Sequence, residues 1–175
     1  MTLKINYLDK KIVSNKNKAI FVNPNTKIED FRGEFDVKTN QLIQNLLKKN
    51  KNIKDDKIFT LNEDFDKKVI AIYLSKSNNE LEFEKLGARF FDYLKKNEID
   101  NINIKSTIFK SSKNHSSRLF SSFIHGLELK SYEFNLYKSK KNDKIINVFV
   151  SKTDISQKLK KLDAILNGVN FTRDL

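Results

Sequence analysis

The run Val69-Ile-Ala-Ile-Tyr-Leu74 is the longest unbroken apolar segment of the chain. A β-branched run of this length favours a central strand that is covered on both faces. Downstream, Asn79 and Glu82 have the spacing of a capping box, in which each side chain bonds to the backbone of the other residue. One face of the helix that would follow is apolar, with Phe83, Leu86, Phe90 and Leu94. The segment therefore predicts a buried strand followed by a helix that ends near Asn97.

Toward the amino terminus, the pattern predicts three further strands and one helix. Leu3, Ile5 and Tyr7 alternate with polar residues, which is typical of a strand. The apolar run 19–22 stops at the turn signal Asn23-Pro24-Asn25 and predicts a more buried strand. Apolar residues at helical spacing predict a helix over about 37–49, and a lysine-rich loop follows it. Residues 58–61 predict an edge strand.

Toward the carboxyl terminus, strands and helices continue to alternate. Ile102 and Ile104 indicate a strand, residues 114–135 a helix, and residues 145–150 the last strand. From residue 155 onward, leucines recur at helical spacing, and Asp154 is predicted to cap that helix. Three glycines fall inside the helical patterns, where they are predicted to permit close packing: Gly87, Gly126 and Gly168.

This alternation predicts an α/β fold: a three-layer α/β/α sandwich with a mixed sheet, followed by a terminal helix. The length of 175 residues suits one ordinary domain. Residues 1–11 are interrupted by charges and lack the apolar centre of a secretory signal, and no stretch is long and apolar enough to cross a membrane. Without cysteine there is no disulfide framework. These features lead us to expect a cytoplasmic protein with no membrane partner.

The formal net charge of +12 makes nucleic acid a candidate partner. However, 30 Lys stand against 4 Arg, and Asn is also abundant at 21 residues. A composition rich in Lys and Asn is typical of a genome poor in G and C. The chain has few of the arginines that form bidentate hydrogen bonds with phosphates and guanine edges. If nucleic acid binds, we expect phosphate contacts from one loop cluster: Lys138, Lys140, Lys141 and Lys144.

A search of the sequence for catalytic or metal-binding motifs yields none. His115 and His125 are ten residues apart, which on a helix leaves them about 80° away from a common face. There is no His-Glu-x-x-His pattern and no Gly-x-Ser-x-Gly elbow. We therefore expect no catalytic residue and no metal ligand in this chain. His125 is interpreted as an ordinary residue on a helix face.

Two segments carry a resemblance to a known family. Gly126-Leu-Glu-Leu-Lys-Ser-Tyr-Glu-Phe-Asn-Leu-Tyr-Lys-Ser139 is similar to the Gly-Leu-x-Leu-x-x-Tyr-x-Phe-x-x-Tyr-Lys-Ser helix of leucyl (cytosol) aminopeptidases. The end of the chain, Phe171-Thr-Arg-Asp-Leu175, resembles the stretch that closes the linker helix in that family. His125 departs from the family, which usually has Glu there.

The resemblance implies a division of the chain and a parent enzyme. Residues 1–152 would be a macro-domain-like N-terminal domain, and residues 153–175 a linker helix that leads to a catalytic domain beyond Leu175. That catalytic domain, the expected partner, would bind two divalent metals, zinc or manganese, and remove N-terminal residues from peptides. The parent would be a cytoplasmic hexamer. In some bacterial members the N-terminal domains also contribute to DNA binding.

Two functions thus remain open. The first is a non-catalytic accessory domain of a metalloaminopeptidase, which serves assembly and active-site access and has no activity or cofactor of its own. The alternative is a nucleic-acid-binding module that acts through a lysine-rich surface.

Overall fold

The structure is a computed structural model that describes residues 2–9, 17–31, 33–51, 53, 55–64, 67–75, 79–106, 113–132 and 144–174. Within these ranges, the strands are β1 (Thr2–Leu8), β2 (Lys18–Val22), β3 (Lys57–Asp64), β4 (Lys67–Tyr73), β5 (Asn101–Lys105) and β6 (Ile145–Ser151). The helices are α1 (Val37–Lys49), α2 (Glu80–Lys96), α3 (Lys113–Ser131) and α4 (Leu159–Asp174). Two short 3-10 turns occupy Ile28–Phe31 and Lys152–Asp154.

The described strands form one sheet in the order β1-β6-β5-β2-β4-β3. The pairs from β1 through to β4 are parallel, and only the edge strand β3 runs antiparallel, to β4. A register shift interrupts β3 between Asn62 and Asp64. The predictions of a mixed sheet and of an edge strand over 58–61 are therefore confirmed.

Strands β2 and β4 are buried on both faces, as the apolar run 69–74 predicts. Phe21, Ile70 and Ile72 point into a core that α2 and α3 cover. The alternate residues Ile20 and Val69 point into a second core, which α1 and the first 3-10 turn close. Side chains of successive strand residues point to opposite faces, so an unbroken apolar strand needs cover on both. The three-layer α/β/α arrangement follows.

Local capping fixes where α1 and α2 begin. Asp36 accepts a hydrogen bond from the Thr39 backbone N–H at 2.7 Å. Hydrogen bonds from the side chain and then the backbone of Thr39 lower the pKa of the Asp36 carboxyl. The predicted capping box of α2 is present: Asn79 accepts from the Glu82 N–H at 3.0 Å, and Glu82 accepts from the Asn79 N–H at 3.2 Å. The helix ends at Lys96, one residue before the predicted Asn97.

The last two helices differ from their predicted bounds. Helix α3 ends at Ser131, and Tyr132 lies outside it. The rest of the predicted range, 133–135, lies outside the described residues. The prediction that Asp154 caps the terminal helix is wrong, because Asp154 closes the 3-10 turn and α4 begins only at Leu159. Its carboxylate instead accepts from the Ser106 backbone N–H at 3.4 Å, which ties the turn to the end of β5.

Two of the three helical glycines hold α2 and α3 close together. A Cβ on Gly87 would lie 2.0 Å from the Phe123 carbonyl oxygen, and one on Gly126 would lie 1.9 Å from that of Glu84. The prediction of close packing is wrong for Gly168, where a Cβ would meet nothing within 4 Å. Gly168 lies on the exposed side of α4. No described helix is long and apolar enough to serve as a membrane span.

Candidate functional site

A polar stripe runs along α3 on the side that meets α4. Ser121, His125 and Glu128 stand at positions i, i+4 and i+7, so they share one face of the helix. Ser121 Oγ donates to the Ser117 carbonyl at 2.7 Å and accepts from the Ser156 backbone N–H at 3.1 Å. This serine therefore attaches the segment before α4 to α3.

His125 lies deep in this stripe, with 2% of its surface exposed. Its Nδ1 atom is buried and has no hydrogen-bond partner in the described part of the chain. Burial lowers the pKa of the imidazole, Glu84 and Asp163 oppose that shift, and Lys158 reinforces it. The surroundings therefore disfavour the charged form of His125. The residue lies on a helix face, as expected, and that face is buried.

A cavity of about 320 Å³ opens where β1, α3 and α4 meet. Leu3 and Ile5 of β1 and Leu166 of α4 supply its apolar wall. Its polar wall comes from Glu128 and Asn170, with Ser131 and Tyr132 at the end of α3. Sequence reasoning missed this site, since its residues come from three elements that are far apart in the chain.

Two oxygens of the cavity residues are buried without a partner among the described residues, namely Glu128 Oε2 and Asn170 Oδ1. Burial raises the pKa of Glu128 to about 7, and the nearby negative charge of Asp163 adds to the shift. Burial, together with the charges of Glu128 and Asp163, also raises the pKa of Tyr7 on β1. The site is thus a half-buried, electronegative recess in which two buried oxygens have no partner among the described residues.

Of the lysines predicted to contact nucleic acid, only Lys144 lies within the described residues. It is exposed, and its Nζ is 4.0 Å from Glu98 Oε1. Its carbonyl oxygen accepts from the Thr2 N–H at 2.9 Å, which joins it to the start of β1. Lys138, Lys140 and Lys141 lie outside the described residues.

Among the described residues, no group of three His, Cys, Asp or Glu side chains is placed to hold a metal ion. His115 is exposed in the first turn of α3, whereas His125 is buried nearly three turns further on, in keeping with the expectation that they do not share a face. The acidic residues near the recess, Glu128 and Asp163, are two carboxylates without a third ligand of these types.

Two large apolar side chains of α4 are exposed. Leu159 and Leu162 are buried against the domain, whereas Ile165 and Phe171 have 54% and 65% of their surfaces exposed. At about 100° per residue, the six positions between Ile165 and Phe171 place these two side chains about 120° apart around the helix. The rest of the exposed surface of α4 is mostly polar, with Lys160, Lys161, Asn167, Thr172 and Arg173.

Comparison with known proteins identifies the family to which this fold belongs. Residues 20–141 match the model of the N-terminal domain of the cytosol aminopeptidase family. That range begins within β2 and extends past the end of α3. No match is found among curated proteins.

Solved structures share the fold at low sequence identity. A mutant of tomato leucine aminopeptidase is 13% identical with a TM-score of 0.60, and the match covers 98% of this chain and 36% of that one. The bottromycin maturation enzyme BotP in complex with Mn is 11% identical with a TM-score of 0.61, covering 93% and 32%. The cytosol aminopeptidase of Coxiella burnetii is 17% identical with a TM-score of 0.53, covering 97% and 32%.

The chain thus spans about a third of the length of these solved relatives. The family match covers well over half of this chain, and the fold agrees with the aminopeptidase structures from β1 to α4. The chain belongs to the cytosol aminopeptidase family, and the part of that family it represents is the N-terminal domain.

Proposed function

We propose that this chain is the non-catalytic N-terminal domain of a metal-dependent leucyl aminopeptidase that removes N-terminal residues from peptides in the cytoplasm. The observation that carries the proposal is the family match over residues 20–141. Residues 1–152 are the domain proper, and residues 153–175, which include α4, are the linker toward the catalytic domain of the same polypeptide. The relatives' greater length leaves room for that domain.

The parent's two divalent metals, zinc or manganese, belong to the catalytic domain in this proposal. One solved relative is described as a complex with Mn. The described residues of this chain do not fit such a centre, because no three ligand side chains of the usual types converge. We therefore assign no catalytic step to this chain.

A peptidase assay tests the proposal directly. The chain is incubated with leucine p-nitroanilide and manganese, next to a purified leucyl aminopeptidase as the positive control. We expect no release of nitroaniline above buffer from the chain alone. Metal-dependent turnover by the chain itself would overturn the assignment. Sequencing of the coding region after Leu175 is the complementary check. In leucyl aminopeptidases an Asn-x-Pro-x-Asn segment follows the linker helix, and Asp, Glu and Lys side chains bind the metals. A continuing frame that lacks these features would contradict the proposal.

Within the parent, we propose that the domain serves hexamer assembly and access to the active site, with α4 as the connecting element. The exposed side chains of Ile165 and Phe171 support this role, because a large apolar side chain gains free energy when a second domain covers it. The test uses the full-length parent with Ile165→Asp and Phe171→Asp. The matched control is Val37→Asp on α1, which changes an equally apolar and exposed side chain (75%) on the other side of the sheet.

The expected result is that the double α4 variant dissociates or loses peptidase activity, whereas the α1 variant keeps the size and activity of the wild type. Analytical ultracentrifugation and the leucine assay measure both properties on the same samples. An α4 variant with unchanged mass and unchanged activity would remove the proposed role.

Nucleic-acid binding is the second candidate, favoured by the net charge of +12. In this proposal, Lys138, Lys140, Lys141 and Lys144 contact phosphates. The variant with all four changed to Gln should lose duplex DNA affinity and show a shallower salt dependence, since each phosphate contact releases counterions. A control with four exposed lysines changed elsewhere, namely Lys27, Lys48, Lys96 and Lys160, carries the same loss of charge. An equal loss of DNA affinity in both variants would indicate that net charge alone, and not this lysine cluster, causes binding. A DNA affinity that does not change with salt concentration would exclude nucleic-acid binding as the function.

A further inference from the structure

Three oxygen atoms in the lining of the cavity between β1, α3 and α4 can accept hydrogen bonds. Glu128 Oε2 and Asn170 Oδ1 are buried without a hydrogen-bond partner there. Ser131 Oγ donates its hydrogen to the Glu128 carbonyl at 2.8 Å, so its lone pairs remain available. Buried acceptors without donors cost free energy, and a ligand that supplies donors would recover it.

The electrostatics of the cavity favour a cation. The Glu128 carboxyl is negatively charged above its pKa of about 7, and Asp163 adds a second negative charge near it. The guanidinium of Arg173 lies over the ring of Tyr132, a residue of the cavity lining, at 5.2 Å. Arg173 Nη1 donates to the Leu129 carbonyl at 3.3 Å, and Leu129 is not among the lining residues. No lysine or arginine is among the described residues that line the cavity.

The shape of the cavity decides which cation fits. Leu3, Ile5 and Leu166 form an apolar wall opposite the acceptors, and the volume of about 320 Å³ holds a small molecule. A divalent metal would need six or more oxygen ligands or a cluster of charged side chains, and it gains nothing from an apolar wall. An ammonium group has three N–H donors, which matches the three acceptors, and an alkyl chain suits the leucine and isoleucine side chains.

We propose that this cavity binds a small aliphatic primary amine in its ammonium form. The nitrogen donates to Glu128 Oε2, Asn170 Oδ1 and Ser131 Oγ, and the alkyl chain packs on Leu3, Ile5 and Leu166. A free amino acid fits poorly, because its carboxylate would lie close to that of Glu128. The inference goes beyond the proposed function and does not depend on it.

The test is a titration of the ¹⁵N-labelled chain with isopentylamine, followed by amide chemical shifts. We expect a dissociation constant on the order of 1 mM, as befits so small a ligand, and shifts at Ser131, Leu166 and Asn170. Isopentanol, which has the same shape without the charge, and leucine, which adds the carboxylate, should each bind at least tenfold more weakly. Equal binding of amine and alcohol, or shifts spread over exposed acidic residues, would overturn the proposal.

Two variants test whether the Glu128 side chain supplies the negative charge that binds the amine. Glu128→Gln keeps the shape of the side chain and should weaken amine binding at least tenfold, whereas Glu29→Gln, which removes an exposed carboxylate from the first 3-10 turn, should leave it unchanged. Unchanged binding by the Glu128 variant would contradict the assignment. Should that variant fail to fold, the shift map of the wild-type chain still decides, because the amine must perturb the cavity residues.

Discussion

Gly87 and Gly126 are the residues that set the separation of α2 and α3. A Cβ at either position would overlap a backbone carbonyl of the facing helix, which no side-chain rotation relieves. We predict that Gly87→Ala and Gly126→Ala each lower the free energy of unfolding by about 1–3 kcal/mol, the usual cost of overpacking. Urea denaturation followed by circular dichroism measures the change.

Gly168 provides the matched control for this prediction. It lies in α4, where a Cβ would meet open space, so Gly168→Ala should raise stability by up to about 1 kcal/mol through helix propensity. If all three alanine variants changed stability in the same direction, close helix packing would be the wrong explanation for the first two.

Glu128 makes part of the stability depend on pH. Its pKa is raised in the fold from 4.5 to about 7, so its contribution is fully present below the unfolded value and is lost as pH rises through about 7. Glu128→Gln should therefore stabilise the protein more at pH 8 than at pH 4. We expect a difference of about 1–2 kcal/mol, since each pKa unit corresponds to about 1.4 kcal/mol and solvent at the cavity mouth screens part of it.

Denaturation curves of both proteins at several pH values check this expectation. The lowered pKa of His125 acts in the opposite sense, because its contribution is lost as pH falls below its unfolded value of 6.5. That effect is present in both proteins and largely cancels in the comparison. A stability difference that stays constant from pH 4 to pH 8 would show that Glu128 is not perturbed by its surroundings.

For the polar stripe of α3, the sequence predicts the shared helix face but not its burial. Ser121, His125 and Glu128 recur at helical spacing in the sequence, which signals a shared face. The sequence does not show that α4 returns to cover this face, because that depends on where the chain goes after β6. The burial of His125 and the recess beside Glu128 are consequences of tertiary packing.

At the scale of elements, the capping box of α2 is a local feature with a measurable contribution. Asn79→Ala removes the acceptor for the Glu82 N–H and should cost about 1 kcal/mol of unfolding free energy. Lys85→Ala, at an exposed position within the same helix, is the control and should change stability little. Comparable losses in the two variants would indicate a general effect of substitution on α2.

Elements defined by local signals were predictable, and those defined by distant contacts were not. The starts of α1 and α2 follow from Asp36 and Asn79, whose side chains bond to neighbouring backbone groups. Asp154 has the same chemistry, yet its carboxylate accepts from Ser106 at the end of β5. Asp154 thus accepts a hydrogen bond from a residue 48 positions away and does not cap a helix, and α4 starts later than predicted.

At the scale of the whole molecule, the excess of positive charge opposes compaction. We predict that the thermal midpoint rises by a few degrees between about 10 mM and 200 mM sodium chloride, because salt screens repulsion beyond about 10 Å. Changing Lys27, Lys48, Lys96 and Lys160 to Glu lowers the net charge of +12 by two units each and should reduce the salt response. Differential scanning calorimetry measures both proteins, and an equal response would contradict the prediction.

The pairing of β1 with β6 has a consequence for biosynthesis. Thr2 faces Ile145 in the register, so β1 finds its only described neighbour in the sheet after β6, which begins at residue 145, has been translated. Until then β1 cannot pair in the sheet, and its apolar side chains stay accessible. Chaperones can therefore bind the nascent polypeptide during this interval. A ribosome stalled before residue 145 should therefore carry a chain whose β2–β4 pairing is complete while its first strand is still accessible to protease.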